Sequence, residues 1–102
     1  MSITKNFLKT RASCKVRCSL SAEELADAEG AFLVGEFNKW NPASHPMKKH
    51  KDGGVSLEIE LPLGRDCQFR YLTDSGRWLN DSQADAYVPC PFAGAENSLV
   101  KV

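Results

Sequence analysis

Excess charge of either sign, a long apolar run and any recognisable catalytic motif are all missing from these 102 residues. The 13 Lys and Arg residues offset the 13 Asp and Glu residues, so no surplus positive field exists to attract nucleic acid or an anionic lipid surface. No apolar stretch approaches the roughly 20 residues that span a bilayer, which excludes a transmembrane helix. Met1 to Ala12 carries Lys5, Lys9 and Arg11 with no apolar stretch behind them, unlike a secretory signal. The expectation is a soluble, cytoplasmic protein. Only two histidines are present, and neither His45 nor His50 has a second His, Cys or carboxylate at zinc-like spacing, so no metal or other cofactor is expected. The cysteines Cys14, Cys18, Cys67 and Cys90 form no CxxC pair. On one strand, Cys14 and Cys18 stand about 13 Å apart, beyond disulfide reach. They read as small buried apolar residues in a reducing compartment. Gly-x-Ser-x-Gly, Walker-type and His-Glu-x-x-His motifs are absent. Glu58 and Glu60 occupy the outer side of a strand, where a solvated face would place them, so no glycosidase-like carboxylate pair is indicated.

What is there is β-sheet. Cys14, Val16, Cys18 and Leu20 alternate with polar residues, the two-residue period of a half-buried strand over Ser13 to Leu20. Ser21 with Glu24 three residues on predicts a capped turn of helix before Gly30. Ala31 to Phe37 reads as a buried strand, and 38–54 as a long irregular connection with Asn41-Pro42, His45-Pro46 and Asp52-Gly53-Gly54 turns. Val55 to Leu61 alternates again. Cys67, Phe69 and Tyr71 face the core while Gln68, Arg70 and Leu72 face outward, and Asp74-Ser75-Gly76 turns the chain back into Trp78. Asn80 to Asn97 is rich in turn formers, and Ser98 to Val102 forms a last strand. The division is a lead-in over 1–12, expected to be partly disordered, and one domain over 13–102. About seven short strands with almost no helical periodicity predict an all-β, immunoglobulin-like antiparallel sandwich.

The two tryptophans stand at strand–loop junctions among polar neighbours: Asn38, Lys39 and Asn41 around Trp40, and Arg77 and Asn80 around Trp78. An indole is a broad apolar platform for the C–H face of a sugar ring, and amides and guanidinium groups can hydrogen-bond its hydroxyls. A tryptophan in a small sandwich also commonly packs against the core. The residue pattern alone leaves both readings open.

The segment Leu33-Val34-Gly35-Glu36-Phe37-Asn38-Lys39-Trp40-Asn41-Pro42 resembles the Val-x-Gly-x-Phe-Asn-x-Trp signature of carbohydrate-binding module family 48. Further matches run in order through Asp52-Gly53, Leu61-Pro62-x-Gly64, Phe69-Arg70-Tyr71, Asp74 with Trp78, Asn80-Asp81 and Glu96-Asn97-Ser98-Leu99-Val100. The resemblance covers Ser13 to Val102. It implies an early-set sandwich, as in the glycogen-binding domain of a kinase β subunit and at the N-termini of isoamylases and branching enzymes. It also implies non-catalytic binding of α-1,4-linked glucans by stacking on Trp40 and Trp78, with Arg70 and Asn97 contacting sugar hydroxyls. Asn41 is a weaker candidate. Ala95 stands where kinase-type domains carry a sugar-binding threonine, and Phe92 is the candidate replacement for their loop leucine. The turn before Trp78 is one residue longer than an Asp-Gly turn, which makes Trp40 the safer platform. The alternative is an accessory module that docks on an amylolytic or branching enzyme. A (β/α)₈ barrel needs about 250 residues, so this chain is expected to act alone or in trans.

Overall fold

The computed structural model describes residues 2–10, 12–89 and 96–102. The alternating segment Ser13–Leu20 is strand β2, and Ser2–Phe7 before it is β1, paired antiparallel from Ser2 opposite Ser19 to Phe7 opposite Cys14. Within the lead-in, Ser2–Phe7 is therefore an edge strand. Alternation does not reveal it because its residues are mostly polar and only Ile3 and Lys5 are half-buried. On the other side of β2 lies β5, Val55–Pro62, in register from Leu20 opposite Val55 to Ser13 opposite Pro62. Strand β4, Lys48–Lys49, completes a sheet of order β1-β2-β5-β4.

The second sheet has the order β3-β6-β9-β8, built from Ala31–Gly35, Asp66–Thr73, Glu96–Lys101 and Ala86–Pro89. Strand β7, Trp78–Leu79, pairs with β6. Since β3 occupies one edge of β6 along Phe69 to Thr73, both β9 and β7 take the other edge: β9 along Asp66 to Phe69, β7 along Tyr71 and Leu72. Arg70 thus lies at the seam between β7 and β9. The described residues hold nine strands in two antiparallel sheets, an immunoglobulin-like sandwich as expected. Six of the nine fall on segments read as strands from the sequence; the other three are β1, the two-residue β4 and β8, a four-residue edge strand inside a turn-rich segment. Pro89 ends that edge, where its missing N–H breaks no ladder.

Between the sheets, Cys14, Val16, Cys18, Leu20, Val55 and Leu61 meet Ala31, Leu33, Cys67, Phe69, Tyr71 and Val100. Cys14, Cys18 and Cys67 are buried free thiols, and Cys90 lies outside the described residues. Burial pushes the Cys18 thiol up to about 12, with the nearby Asp81 charge adding to the rise against a hydrogen bond from Tyr71. The single helical turn α1, Ala22–Leu25, carries the reciprocal Ser21/Glu24 capping bonds that its sequence predicts and buries Leu25 in the core.

Beyond Tyr71 the core becomes polar. The Tyr71 hydroxyl donates to Asp81 Oδ2 at 2.6 Å, the Asp81 N–H reaches Ser98 Oγ at 2.9 Å, and Tyr87 donates to the Asp81 carbonyl at 2.6 Å. Asp81 is fully buried. A buried carboxylate is tolerated only when its lone pairs are met, and the second oxygen accepts from the Gln83 N–H at 2.7 Å. Burial first, then the neighbouring Cys18 and Asp81, raise the Tyr71 phenol above its usual range. This network ties the segment after β7 to β9.

Candidate functional site

Strand β3 stops two residues short of the predicted Phe37. Gly35 packs so closely on β6 that a Cβ there would lie 2.5 Å from the Gln68 carbonyl oxygen and 2.8 Å from Phe69 Cβ. Glu36–Asn38 then form a 3₁₀ turn, and side chains replace the lost ladder. Glu36 Oε1 accepts the Gln68 N–H at 2.7 Å, Asn38 Oδ1 accepts the Gly35 N–H at 3.1 Å, and Asn38 Nδ2 donates to the Leu33 carbonyl at 3.0 Å. Phe37 is half-buried against the core and meets His45 edge-on at 4.9 Å. The Gly-x-Phe-Asn-x-Trp run thus divides the physical work among its residues: Gly35 permits close approach, Phe37 anchors, Asn38 clips the turn and Trp40 is displayed.

Lys39 and Trp40 both adopt left-handed backbone angles, with φ of 56° and 59°, a conformation that costs a non-glycine residue about 1–2 kcal/mol. The clip holds them there: the Trp40 N–H bonds the Gly35 carbonyl at 2.9 Å. Strain of this kind concentrates at functional positions, and the indole is exposed at 37%. Asn41 uses its Oδ1 to accept the Ala43 N–H at 3.0 Å, so its side chain shapes the loop.

Trp78 reaches the surface differently. The Thr73 N–H bonds the Arg77 carbonyl at 2.8 Å across a three-residue turn, and Gly76 supplies the required positive φ of 92°. The extra residue places Trp78 opposite Leu72, on the outward face of β6. The ring is 43% exposed, with the Arg70 guanidinium carbon 5.4 Å from its centroid, a cation–π contact.

Across the seam from Trp78 stands Asn97. Phe69 pairs with Ser98, and the next step of that register sets Asn97 beside Arg70 on the same outward face. Asn97 is 4% exposed. Its Nδ2 donates to Gln68 Oε1 at 3.1 Å, which orients the amide. Among the described residues, Asn97 Oδ1 and Arg70 Nε are buried with no hydrogen-bond partner. One is an acceptor and the other a donor, and buried orphans are rare in folded proteins. Gln68 was not singled out from the sequence, although the alternation that turns Arg70 outward turns Gln68 outward too.

The structure thus joins Arg70 to Trp78 directly and to Asn97 by register. Trp40 lies on the loop beyond Gly35, which pairs with Phe69. Leu72, the partner of Trp78, is three residue steps on from Phe69, about 10 Å along β6. Phe92 and Ala95 lie outside the described residues. A cleft of about 570 Å³ at the end of the sandwich, lined by Glu36, Phe37, Glu60 and Arg65, contains neither tryptophan. Its Glu36 and Glu60 carboxylates accept bonds from the Gln68 N–H and the Ser13 hydroxyl. The described residues contain no group of three or more side chains placed to hold a metal ion.

An immunoglobulin-like sandwich that displays indoles at loop and hairpin positions, with polar groups sunk between strands, has the build of a β-sandwich recognition module. The chain belongs to the family described as carbohydrate-binding module 48 (isoamylase N-terminal domain), which it matches over residues 13–88. Modules of this kind are non-catalytic in themselves and bind glucans. The chain is similar to a 1,4-alpha-glucan-branching enzyme, chloroplastic/amyloplastic, of Oryza sativa subsp. japonica: 31% identical over 84 residues, covering 76% of this chain and 10% of that enzyme. It is also similar to the 1,4-alpha-glucan-branching enzyme of Candida glabrata, 51% identical over 37 residues, covering 36% of this chain and 5% of that one. A third relative, the 1,4-alpha-glucan-branching enzyme of Equus caballus, is 56% identical over 32 residues, 31% of this chain and 5% of the enzyme. The chain spans a tenth or less of the length of these relatives.

Proposed function

We propose that this chain binds α-1,4-linked glucan chains without catalysis, on the outward face of the β3-β6-β9 sheet and its flanking loops. Trp78 and Trp40 serve as stacking platforms, and Arg70 and Asn97 meet sugar hydroxyls. The observation that carries this reading is the pair of unpartnered buried atoms, Arg70 Nε and Asn97 Oδ1, on the face that also bears Trp78. A sugar hydroxyl both donates and accepts, so vicinal hydroxyls can answer an N–H and a carbonyl at once. The exposed indole beside them supplies the apolar face that a pyranose needs. Chemical-shift mapping with maltoheptaose tests this. The indole N–H of Trp78 and the side-chain amides of Asn97 and Gln68 should shift together, and shifts confined to the opposite sheet would overturn the assignment.

Relatives that are branching enzymes favour a second role, as an accessory module to a branching or other amylolytic enzyme. Buried free thiols at Cys14, Cys18 and Cys67 fit a reducing compartment, and we assign the protein to the cytoplasm.

A further inference from the structure

The outward face of the other sheet is chemically different, with no aromatic residue at its strand positions. Ser2, Ser19, Ser56 and Lys48 stand in one row across β1, β2, β5 and β4, and Thr4, Arg17 and Glu58 form the next row. Over these rows lies a cleft of about 350 Å³, whose lining includes Ser2, Arg17, Ser19, His50, Asp52 and Ser56. Arg17 Nη2 donates to Ser56 Oγ at 3.2 Å, and His50 Nε2 is bonded to the same hydroxyl. Two hydrogen bonds of the turn between β4 and β5 set His50 in place: its N–H donates to the Gly54 carbonyl at 2.8 Å, and its carbonyl accepts from the Gly53 N–H at 3.0 Å.

The acidic groups nearby are directed elsewhere. Asp52 Oδ1 accepts the Gly54 N–H at 2.9 Å, and Glu58, the cross-strand neighbour of Arg17, lies 4.0 Å from Lys15 Nζ. Arg17 therefore brings to the cleft a guanidinium whose hydrogen bond goes to a serine hydroxyl rather than to a carboxylate. A planar guanidinium fork is the side chain best matched to phosphate oxygens, with His50 and the serine hydroxyls as further donors. The cleft is larger than a phosphate alone requires and falls in the range of small-ligand sites. The remaining hydroxyls and the second Asp52 oxygen suit the hydroxyls of one sugar ring.

We propose that this cleft is a binding site for a hexose phosphate monoester, separate from the glucan face and on the opposite side of the sandwich. The ester comes either as a free sugar phosphate or as a phosphate group carried on a glucan. Amide shift mapping with glucose 6-phosphate, against glucose and inorganic phosphate as controls, tests the proposal. Glucose 6-phosphate should move Arg17, Ser19, His50 and Ser56 at millimolar concentration, more strongly than either control. Arg17→Gln should weaken that response by about tenfold, the expected loss for one charge-assisted contact. Ser56→Ala should weaken it less, while the fluorescence response of both variants to β-cyclodextrin stays at the wild-type level. If phosphorylated glucan co-sediments the protein better than unphosphorylated glucan, and Arg17→Gln removes the difference, the ester on the polymer is the ligand. A wild-type response to glucose 6-phosphate with no such difference assigns the free sugar phosphate. No shift with glucose 6-phosphate, an equal response to inorganic phosphate, or a response unchanged in Arg17→Gln overturns the proposal. The β-cyclodextrin arm reads the glucan face separately, so failure of one site is distinguishable from failure of the other.

Discussion

Gly35 shows how a single residue can decide the site. Its φ of −172° is ordinary extended backbone, so the need for glycine is one of space: the missing Cβ is where the Gln68 carbonyl and Phe69 already stand. Gly35→Ala must push β3 away from β6 and loosen the turn that holds Trp40. A loss of about 1–3 kcal/mol in urea unfolding is expected, the usual range for overpacking. Tyr71 is a second such residue. Tyr71→Phe removes the 2.6 Å donor to a fully buried carboxylate, and leaving that acceptor unmet should cost about 1–3 kcal/mol. In Tyr71→Phe with Asp81→Asn the loss should differ from the sum of the single changes, since the two side chains share one bond. Equilibrium denaturation of the four proteins measures this, and strict additivity would show that the bond carries no coupling.

At the level of elements, edge strand β1 shows what alternation can and cannot reveal. The central strands β2, β5 and β6 were legible because one face of each packs in the core and the other meets water, so residue type flips at every step. The capped turn at Ser21 and the hairpin at Asp74-Ser75-Gly76 were legible because their chemistry is local. Strands β1 and β8 were not, since an edge strand buries little and its sequence is correspondingly free. What fixes them is long-range: Lys5 Nζ meets Asp85 Oδ2 at 2.7 Å, and the same oxygen accepts the Lys101 N–H at 2.7 Å, linking the edges of the two sheets. The site was legible in part for the same reason. Arg70 could be turned outward by counting, whereas the Arg70–Trp78 contact and the Gln68–Asn97 bond depend on which strands become neighbours. Burial alone would raise the Asp85 carboxyl, but the Lys101 N–H and the Lys5 ammonium outweigh it and hold Asp85 below the usual carboxylate range. A lowered native value means that the contact stabilises the fold above the unfolded value, near pH 3.9, and that this share is lost as pH falls through the native value. Asp85→Asn should therefore cost at most about 1 kcal/mol at neutral pH, as for a part-exposed ion pair. It should also flatten the acid limb of a stability–pH curve below about pH 4. An unchanged acid limb would show that the contact does not couple the two edges.

Taken as a whole molecule, the sandwich separates two outward faces by the thickness of its core. One is aromatic and amide-bearing, with Trp78, Arg70, Gln68 and Asn97 in adjoining rows; the other is serine- and base-lined. Membership of carbohydrate-binding module family 48 supports glucan binding, and the proposed function assigns it to the first face, where the orphaned Arg70 and Asn97 atoms would meet sugar hydroxyls. The most direct test is a tryptophan-fluorescence titration with β-cyclodextrin or maltoheptaose, run on the wild-type chain, Trp40→Ala and Trp78→Ala. The account predicts a saturable change at millimolar ligand or below, weakened by about tenfold or more in each variant, a loss of at least ~1.4 kcal/mol. No change at millimolar ligand in the wild-type chain, or equal affinity in all three proteins, would contradict it.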